Sequence, residues 1–184
     1  MKNISVLLFL LITLALNAQN NKTSGLNARQ FHKYWKVESE SPDYKVTFLG
    51  DTVEILSPKG LTLWRKEKMS GKVTIEYDAC VVVEVEGDRL SDLNCFWMAS
   101  DPQYPDNIWK REKWRSGIFL NCYSLQLYYM GYGGNHNSTT RFRRYDGNEA
   151  AITNAKARPA ILKEYTDADH LLEANKWYHI KITN

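Results

Sequence analysis

Apolar and polar residues alternate in many short stretches along the chain, which is the pattern of β-strands with one buried face. Two of these stretches, 44–48 and 52–56, flank the turn at Gly50-Asp51 and predict a β-hairpin. Further strands are predicted at 61–64, 72–77, 80–83, 93–100, 117–123, 125–131, 139–145 and 175–184. Helical periodicity is weak and confined to 167–174. Many short strands between turn signals predict an all-β sandwich or jelly roll.

The first eighteen residues have the pattern of a cleavable signal peptide. Lys2 precedes an apolar run at 4–16, which is shorter than the ~20 residues that span a bilayer, and Ala18 is a small residue at which cleavage can occur. No cysteine follows the predicted cleavage point, so we expect no lipid or other membrane anchor. The pattern therefore predicts a signal peptide at 1–18 and a secreted or periplasmic protein.

Beyond the signal peptide we predict a polar leader at 19–30 and one β-sandwich domain at 31–184. The sequence stops within the strand pattern at 175–184. Two interpretations of this pattern are open: a strand that ends the domain, or a sandwich that lacks its C-terminal strands.

The composition fits one globular domain with an unusual share of aromatic residues. The chain has 184 residues, of which 43% are hydrophobic, so it can form a core and is not a disordered protein. The formal net charge of +3 is too small to indicate nucleic acid as a partner, although residues 109–115 mix cations with aromatic side chains. A loop at the rim of a ligand cleft suits that segment better. Six Trp and 11 Tyr make aromatic ligand contacts plausible.

Three cysteines, Cys80, Cys95 and Cys122, lie in apolar, strand-like stretches. Export permits disulfides, but the odd number and the apolar surroundings favour buried free thiols over a pair. No Cys and His residues are spaced closely enough for a metal site. We therefore predict neither a metal nor another cofactor, and a structural calcium ion has only the weak support described below.

The densest group of polar and aromatic residues lies at 127–147. Its central glycines and Asn135 tolerate positive φ, which predicts a loop between two strands. The second strand places Thr139, Arg141, Arg143 and Tyr145 on one face, and Phe142 and Arg144 on the other. Two guanidiniums and a phenol under a loop that carries His136 suit an anionic or polyhydroxylated ligand. A solvated strand face paired with acidic neighbours is the alternative.

A second polar segment lies at 86–98. Asp88, Asp92 and Asn94 offer oxygen atoms to calcium or to sugar hydroxyls, but the ligand spacing of a calcium loop is absent. Turn and capping roles are the alternative for these side chains. Trp97 fits equally well as a platform for the apolar face of a sugar ring or as a core residue.

Several of these segments together resemble a known group of proteins. The residues that carry the resemblance are Trp64, the segment 88–97, and Tyr128-Tyr129-Met130-Gly131-Tyr132-Gly133-Gly134-Asn135 followed by Thr139-Thr140-Arg141-Phe142-Arg143-Arg144-Tyr145. Over about residues 30–184 the chain resembles an uncharacterised family of secreted bacterial proteins with the concanavalin A-like lectin/glucanase jelly roll. Members of that family occur among glycan-degradation systems. The resemblance implies a polysaccharide or oligosaccharide ligand bound in a cleft on a β-sandwich.

The wider superfamily includes glycoside hydrolases, lyases and lectin-like modules, and the residues separate these possibilities in part. The hydrolase motif E-x-D-x-x-E begins at Glu76-Tyr77-Asp78, but Val81 stands where the last glutamate would be. A uronate lyase needs instead a group that neutralises the carboxylate and a base beside the acidic carbon. Arg141, Arg143 and Asn135 suit the first role, and His136 or Tyr145 the second. A lyase is therefore favoured over a hydrolase.

Two other functions remain open on the sequence. A non-catalytic glycan-binding module would use Trp97, Tyr129, Asp92 and Asn94 as contacts, together with the same arginines. A structural domain attached to a separate catalytic unit is the other possibility. The sequence alone does not choose between binding and cleavage, and it carries no signal of oligomeric state.

Overall fold

A computed structural model describes the backbone of residues 9–14 and the backbone and side chains of residues 27–184. The predicted signal peptide at 1–18 lies outside the described residues except for strand β1, and the predicted leader at 19–30 is described only from residue 27. The strands are β1 (Phe9–Leu14), β2 (Trp35–Ser39), β3 (Lys45–Leu49), β4 (Thr52–Leu56), β5 (Leu61–Arg65), β6 (Thr74–Val82), β7 (Leu93–Ser100), β8 (Gln126–Gly133), β9 (Thr139–Asp146), β10 (Ile161–Tyr165) and β11 (Trp177–Thr183).

Helical elements are short and few. The α-helical segments are α1 (Ala28–Tyr34), α2 (Glu112–Arg115), α3 (Gly134–Asn137) and α4 (Ala150–Thr153), and 3₁₀ turns cover Ile108–Arg111, Phe119–Ser124, Ala155–Ala157 and Ala168–His170. The antiparallel sheets confirm the predicted all-β class and are consistent with a β-sandwich. The concanavalin A-like jelly roll stays a prediction. In the part of the chain that the structure describes, no helix is long and apolar enough to cross a membrane.

One predicted strand, 117–123, is wrong. This segment forms the 3₁₀ turn Phe119–Ser124, because the left-handed backbone of Ser116 (φ 45°) and Gly117 (φ 71°) breaks the extended path before it. Its apolar residues then follow helical spacing, with Cys122 and Tyr123 buried. Of the weak helical pattern at 167–174, only the single turn Ala168–His170 forms. The strands β2 and β10 were not predicted from the sequence.

The described chain divides into two compact units. Unit one contains strand β1 and residues 27–37, 41–89 and 173–184, and unit two contains residues 38–40 and 90–172. Unit one has a five-stranded sheet in the order β11-β6-β1-β4-β3, and β2 pairs with β5. Residues 9–14, which the sequence predicted as part of a removed signal peptide, therefore form a strand of this sheet between β6 and β4. Phe31, Val53 and Ile55 form a buried cluster in this unit. The predicted hairpin is confirmed by the antiparallel pairing of β3 with β4.

The C-terminal strand pattern of the sequence is confirmed, and its partner is an earlier strand. Strand β11 pairs antiparallel with β6 from Trp177 opposite Cys80 to Thr183 opposite Thr74. This register places His179 opposite Asp78 on the exposed face. The Nδ1 atom of His179 lies 2.8 Å from Asp78 Oδ1, and its Nε2 atom lies 3.0 Å from Glu76 Oε1. The imidazole therefore connects two carboxylates of the neighbouring strand.

We expect the pairing of β11 with β6 to depend on pH through His179. Hydrogen bonds to Asp78 and then to Glu76 raise the pKa of His179 above its ordinary value, while Lys181 and His179 lower the pKa of Glu76. The stabilisation from His179 is therefore complete below the ordinary histidine pKa and is lost as the pH rises through the raised value. Asp78→Asn should lower the pKa of His179, measured by NMR titration of the imidazole. Asp51→Asn removes an exposed carboxylate in the β3–β4 turn and is the matched control. An unchanged His179 titration in Asp78→Asn would contradict the assignment.

Unit two has a four-stranded antiparallel sheet in the order β10-β9-β8-β7. One face, which we call the arginine face, carries Asn94, Phe96, Leu127, Tyr129, Gly131, Arg141, Arg143, Tyr145 and Glu164. The other face, the aromatic face, carries Cys95, Trp97, Tyr128, Met130, Phe142 and Arg144. The predicted division of residues 139–145 between two faces is therefore confirmed.

A buried ion pair anchors the segments of unit two that precede the sheet. Arg115 is fully buried, and its guanidinium donates to Glu38 Oε1 at 2.6 Å, to Glu38 Oε2 at 3.1 Å and to the carbonyl of Ile108 at 2.8 Å. Because a buried charge is costly unless it is paired, these bonds hold residue 38 against helix α2. The neighbouring thiol of Cys122 is also buried, and its pKa is raised to about 12, mainly by burial. All three cysteines are buried and free, as predicted.

Candidate functional site

The candidate site is built from two rows of residues that cross the arginine face. In the first row Asn94 on β7, Gly131 on β8, Arg141 on β9 and Glu164 on β10 lie opposite one another in register. In the second row Phe96, Tyr129, Arg143 and Ile161 follow the same four strands. Directly opposite residues of an antiparallel pair have Cβ atoms about 5 Å apart, so each row brings its side chains into contact range.

The middle of the first row has no side chain, and the ring of Tyr129 occupies that space. A Cβ atom at Gly131 would lie 2.0 Å from the Tyr129 hydroxyl oxygen and 2.5 Å from its Cζ atom. The ring therefore leans over residue 131, and its hydroxyl donates to Asn94 Oδ1 at 3.1 Å. The sequence suggested Tyr129 and Asn94 as substrate-binding residues on different strands. This hydrogen bond joins them.

The phenol of Tyr129 is held in its protonated form. Burial is the main cause that raises the pKa of Tyr129, and the negative charge of Asp92 adds to it. Arg143 and Arg141 act in the opposite direction without overcoming the burial. Tyr129 can therefore donate a hydrogen bond at neutral pH, but it is a poor base. Its ring is 7% exposed and so cannot be a stacking platform for a ligand.

Both arginines of the site are half-buried and are oriented by neighbours on the same unit. Arg141 forms an ion pair with Glu164 on β10, and Arg143 donates to the carbonyl of Pro159. Each of these bonds uses only part of a guanidinium, which has five N–H donors. The sequence left open that this strand face is paired with acidic neighbours. That alternative holds for Arg141, which binds Glu164, but not for Arg143.

Tyr145, predicted as a candidate base, is in the core of unit two. It is 1% exposed and packs against Tyr123 and Tyr129, with ring centroids 4.8 Å and 5.5 Å away. Burial raises the pKa of Tyr145 far above its ordinary value. A group that must exchange protons with a dissolved polysaccharide has to reach it, so this geometry is contrary to the catalytic role proposed from the sequence. The residue lies on the arginine face itself, two residues from Arg143, and belongs to a buried aromatic cluster with Tyr123 and Tyr129.

Trp97 lies on the aromatic face, away from the arginines. Its ring is near-parallel to those of Tyr128 and Phe142, and the three centroids are 5.7–6.0 Å apart. The strand alternation explains this position, since Trp97 pairs with Tyr128 rather than with Tyr129. The structure therefore separates Trp97 from the other candidate contacts.

The loop between β8 and β9 has an unusual backbone. Asn135, His136 and Asn137 all have positive φ, at 52°, 58° and 56°, so helix α3 is a left-handed turn made by non-glycine residues. Each such residue costs roughly 1–2 kcal/mol relative to a right-handed turn. Asn137 offsets part of this cost, because its amide donates to the Leu172 carbonyl and its Oδ1 accepts from the Leu172 N–H, both at 2.8 Å.

The left-handed turn presents one residue with no partner among the described residues, His136. Its neighbour Asn135 donates to Ser138 Oγ at 2.9 Å, and Ser138 in turn donates to the Asn135 carbonyl at 2.7 Å. His136 is exposed and makes no hydrogen bond or ion pair within residues 27–184. Strained backbone that is held by specific contacts commonly marks functional positions.

Asp88 and Asp92 do not act together. Asp88 Oδ2 accepts from the N–H groups of Glu84 and Val85 at 2.7 Å and 3.0 Å, which is the turn role that the sequence left open. Asp92 is half-buried with φ 65°, and its N–H donates to the carbonyl of Gly133 at 3.1 Å. Within the described residues, no group of three or more His, Cys, Asp or Glu side chains is arranged to hold a metal ion.

Two members of the site were not predicted from the sequence. Glu164 belongs to β10, a strand whose residues are almost all exposed and whose register shifts between Ile161 and Lys163. Such a strand lacks the alternation from which the others were predicted. Gly131 lies within a predicted strand, where an isolated glycine can indicate a close approach of another group. That signal was present, but it does not name Tyr129 as the approaching residue.

We predict that Gly131→Ala disrupts the site. The added Cβ overlaps the Tyr129 hydroxyl, and the ring cannot move freely because it packs against Phe96, Phe119 and Tyr145. The expected loss of stability is about 1–3 kcal/mol, measured by urea denaturation. Gly134→Ala is the control, because its Cβ would have only ordinary contacts at 3.7–3.8 Å. Equal stability changes in the two variants would contradict the packing described here.

Comparison with known proteins gives one match. A family model described as a domain of unknown function (DUF6250) matches residues 55–184. No curated protein and no solved structure shows significant similarity to the chain.

Proposed function

The chain belongs to the DUF6250 family, and we propose that it is an exported protein that binds an acidic polysaccharide on the arginine face of unit two. The observation that carries the proposal is the convergence of Asn94, Tyr129, Arg141 and Arg143 around Gly131, which has no side chain. The amide of Asn94 and the two guanidiniums are the donors that can bind hydroxyl and carboxylate oxygens, and the buried hydroxyl of Tyr129 orients the amide by donating to its Oδ1. Export rests on the sequence pattern at 1–18 alone, since the structure pairs residues 9–14 with β4 and β6.

The preference for an acidic glycan depends on Arg143. The charge of Arg141 is compensated by its ion pair with Glu164, so Arg141 is left to contribute its remaining N–H donors. Arg143 is bound to a neutral carbonyl, so its positive charge is not compensated by that contact.

The roles of Arg141 and Arg143 in ligand binding can be tested with Arg144, a neighbour of identical charge, as the control. Arg141→Gln or Arg143→Gln should weaken the binding of uronate oligosaccharides roughly 10- to 100-fold, which corresponds to about 1.4–2.7 kcal/mol for the loss of charged hydrogen bonds. Arg144→Gln changes the net charge equally but lies exposed on the aromatic face, so it should leave the affinity unchanged. Isothermal titration calorimetry measures all three. Equal losses in Arg143→Gln and Arg144→Gln would contradict binding on the arginine face.

Cleavage by β-elimination is an extension of the same proposal. A base takes the proton from C5 of the uronate, the electron pair forms the C4=C5 double bond, and the bond from C4 to the glycosidic oxygen breaks. The arginines would neutralise the carboxylate, which makes the C5 proton more acidic. The exposed imidazole of His136 is available as the base. The leaving oxygen takes its proton from water, because the hydroxyl of Tyr129 is buried and already donates to Asn94.

The reaction is detected by its product. A panel of uronate polysaccharides incubated with the full chain should yield an unsaturated product that absorbs in the near ultraviolet. Binding of the same panel without absorbance would establish a non-catalytic glycan-binding module and overturn the lyase. Tyr145 lies outside this scheme, since Tyr145→Phe keeps its ring packing and should not change the affinity.

Variants of His136 in the left-handed turn separate the effect of this residue on stability from its effect on the reaction. His136→Gly should relieve the strain at φ 58° and raise the free energy of unfolding by about 1 kcal/mol, while lowering the rate of elimination. Thermal unfolding and the absorbance assay measure the two effects. His136→Asn tolerates this backbone without an imidazole, so it should lose the reaction with little change in stability. Full activity in both variants would exclude His136 as the base.

A further inference from the structure

Unit two carries a second arrangement of exposed aromatic side chains, which we call the Arg111 platform. It consists of Tyr104, Arg111 and Trp114. The guanidinium carbon of Arg111 lies 5.1 Å from the ring centroid of Trp114 and 5.9 Å from that of Tyr104, both within the range of cation–π contacts. Trp114 is 44% exposed and Tyr104 is 38% exposed, whereas the guanidinium beside them is largely buried.

The cation of the platform is held by a network of carboxylates. Arg111 Nε and Nη2 donate to Asp101 Oδ2 and Oδ1, both at 2.8 Å, and Asp101 is fully buried. Arg111 also pairs with Glu149, whose Oε1 accepts from Gln103 Nε2 at 2.8 Å. A bidentate bond to a buried carboxylate fixes the plane of the guanidinium. The aromatic rings therefore border a group that cannot move away from them.

The backbone that carries Trp114 is fixed as well. The carbonyl of Trp114 accepts from Asn121 Nδ2 at 3.0 Å, and the next residue is the fully buried Arg115. On the other side, the Tyr104 N–H donates to the Asp101 carbonyl at 3.0 Å. Both rings are thus attached to anchored backbone, so a ligand that contacts them orders few additional groups.

The charges of the network indicate what kind of ligand the platform accepts. One guanidinium faces two carboxylates, so the network has no excess positive charge to attract an anion. The hydrogen bonds to Asp101 raise the pKa of Arg111, which keeps this ion pair intact. The remaining recognition elements are the two ring surfaces and their polar edges, which suit a ligand with both an apolar face and hydroxyl groups.

We propose that the Arg111 platform is a binding subsite for neutral pyranose sugars, with the C–H face of the sugar packed on Trp114. The subsite is separate from the arginine face, because it uses neither Arg141 nor Arg143, and it does not require the proposed binding of acidic glycans. The same observation accounts for the mixture of cations and aromatic residues at 109–115. Arg111 and Arg115 anchor the platform, and the ring of Trp114 makes the contact.

The test uses the full chain and neutral oligosaccharides of glucose, galactose, mannose and xylose. Trp114→Ala should weaken the binding of the preferred neutral oligosaccharide at least tenfold by calorimetry. Trp177→Ala removes a similarly exposed tryptophan from unit one and is the matched control, with no change expected. Addition of the sugar should also shift the NMR signal of the Trp114 indole N–H.

Three outcomes would overturn the subsite. The first is the absence of binding of any neutral oligosaccharide by the unaltered chain. The second is equal affinity in Trp114→Ala and the unaltered chain. The third is a lowered thermal midpoint without a change in affinity, which would make Trp114 a cover for the ion network. Arg141→Gln, measured on the same neutral sugars, should have no effect, and this variant separates failure of the platform from failure of the arginine face.

Discussion

The hydroxyl of Tyr129 occupies the space that a side chain at residue 131 would fill, and the candidate site depends on this contact. The ring can lean over β8 only because Gly131 has no Cβ. It then reaches Asn94 on the neighbouring strand and leaves Arg141 on the other side of the glycine. Burial of the same ring keeps its hydroxyl protonated. Because Gly131 has no side chain, the ring of Tyr129 lies over it. This position sets the shape of the site and buries the Tyr129 hydroxyl, which stays protonated.

The surroundings of this contact combine rigid packing with local strain. On the same face, Tyr145 and Tyr123 form a buried aromatic cluster that packs against Tyr129. At the end of the same strands, three consecutive residues adopt a left-handed turn, which persists because Asn137 binds the backbone of Leu172 through two hydrogen bonds. Residues packed in the core cannot exchange protons with a polymer in solution, whereas the exposed His136 can. The sequence offered Tyr145 and His136 equally as candidate bases. In the structure Tyr145 is a core residue, and only His136 is exposed to a ligand.

The sequence predicted most strands of unit two and the grouping of the arginines, and its errors have physical causes. Alternation correctly placed Arg141 and Arg143 on the face opposite Phe142, because side chains in a strand point to alternate sides. The prediction for 117–123 failed because a continuous apolar run fits a buried strand and a buried helical turn equally well. Strand β10 was missed because its residues are nearly all exposed and show no alternation.

The sequence by itself determined the all-β class, the free cysteines and the set of polar residues that share a strand face. These follow from local periodicity and composition, which do not depend on the rest of the chain. Only the tertiary structure decided that Tyr145 is buried, that Trp97 lies on the aromatic face, and that Tyr129 bonds to Asn94. The reason is that burial and cross-strand register depend on which strands pair and with what offset, and residues far apart in the chain decide both.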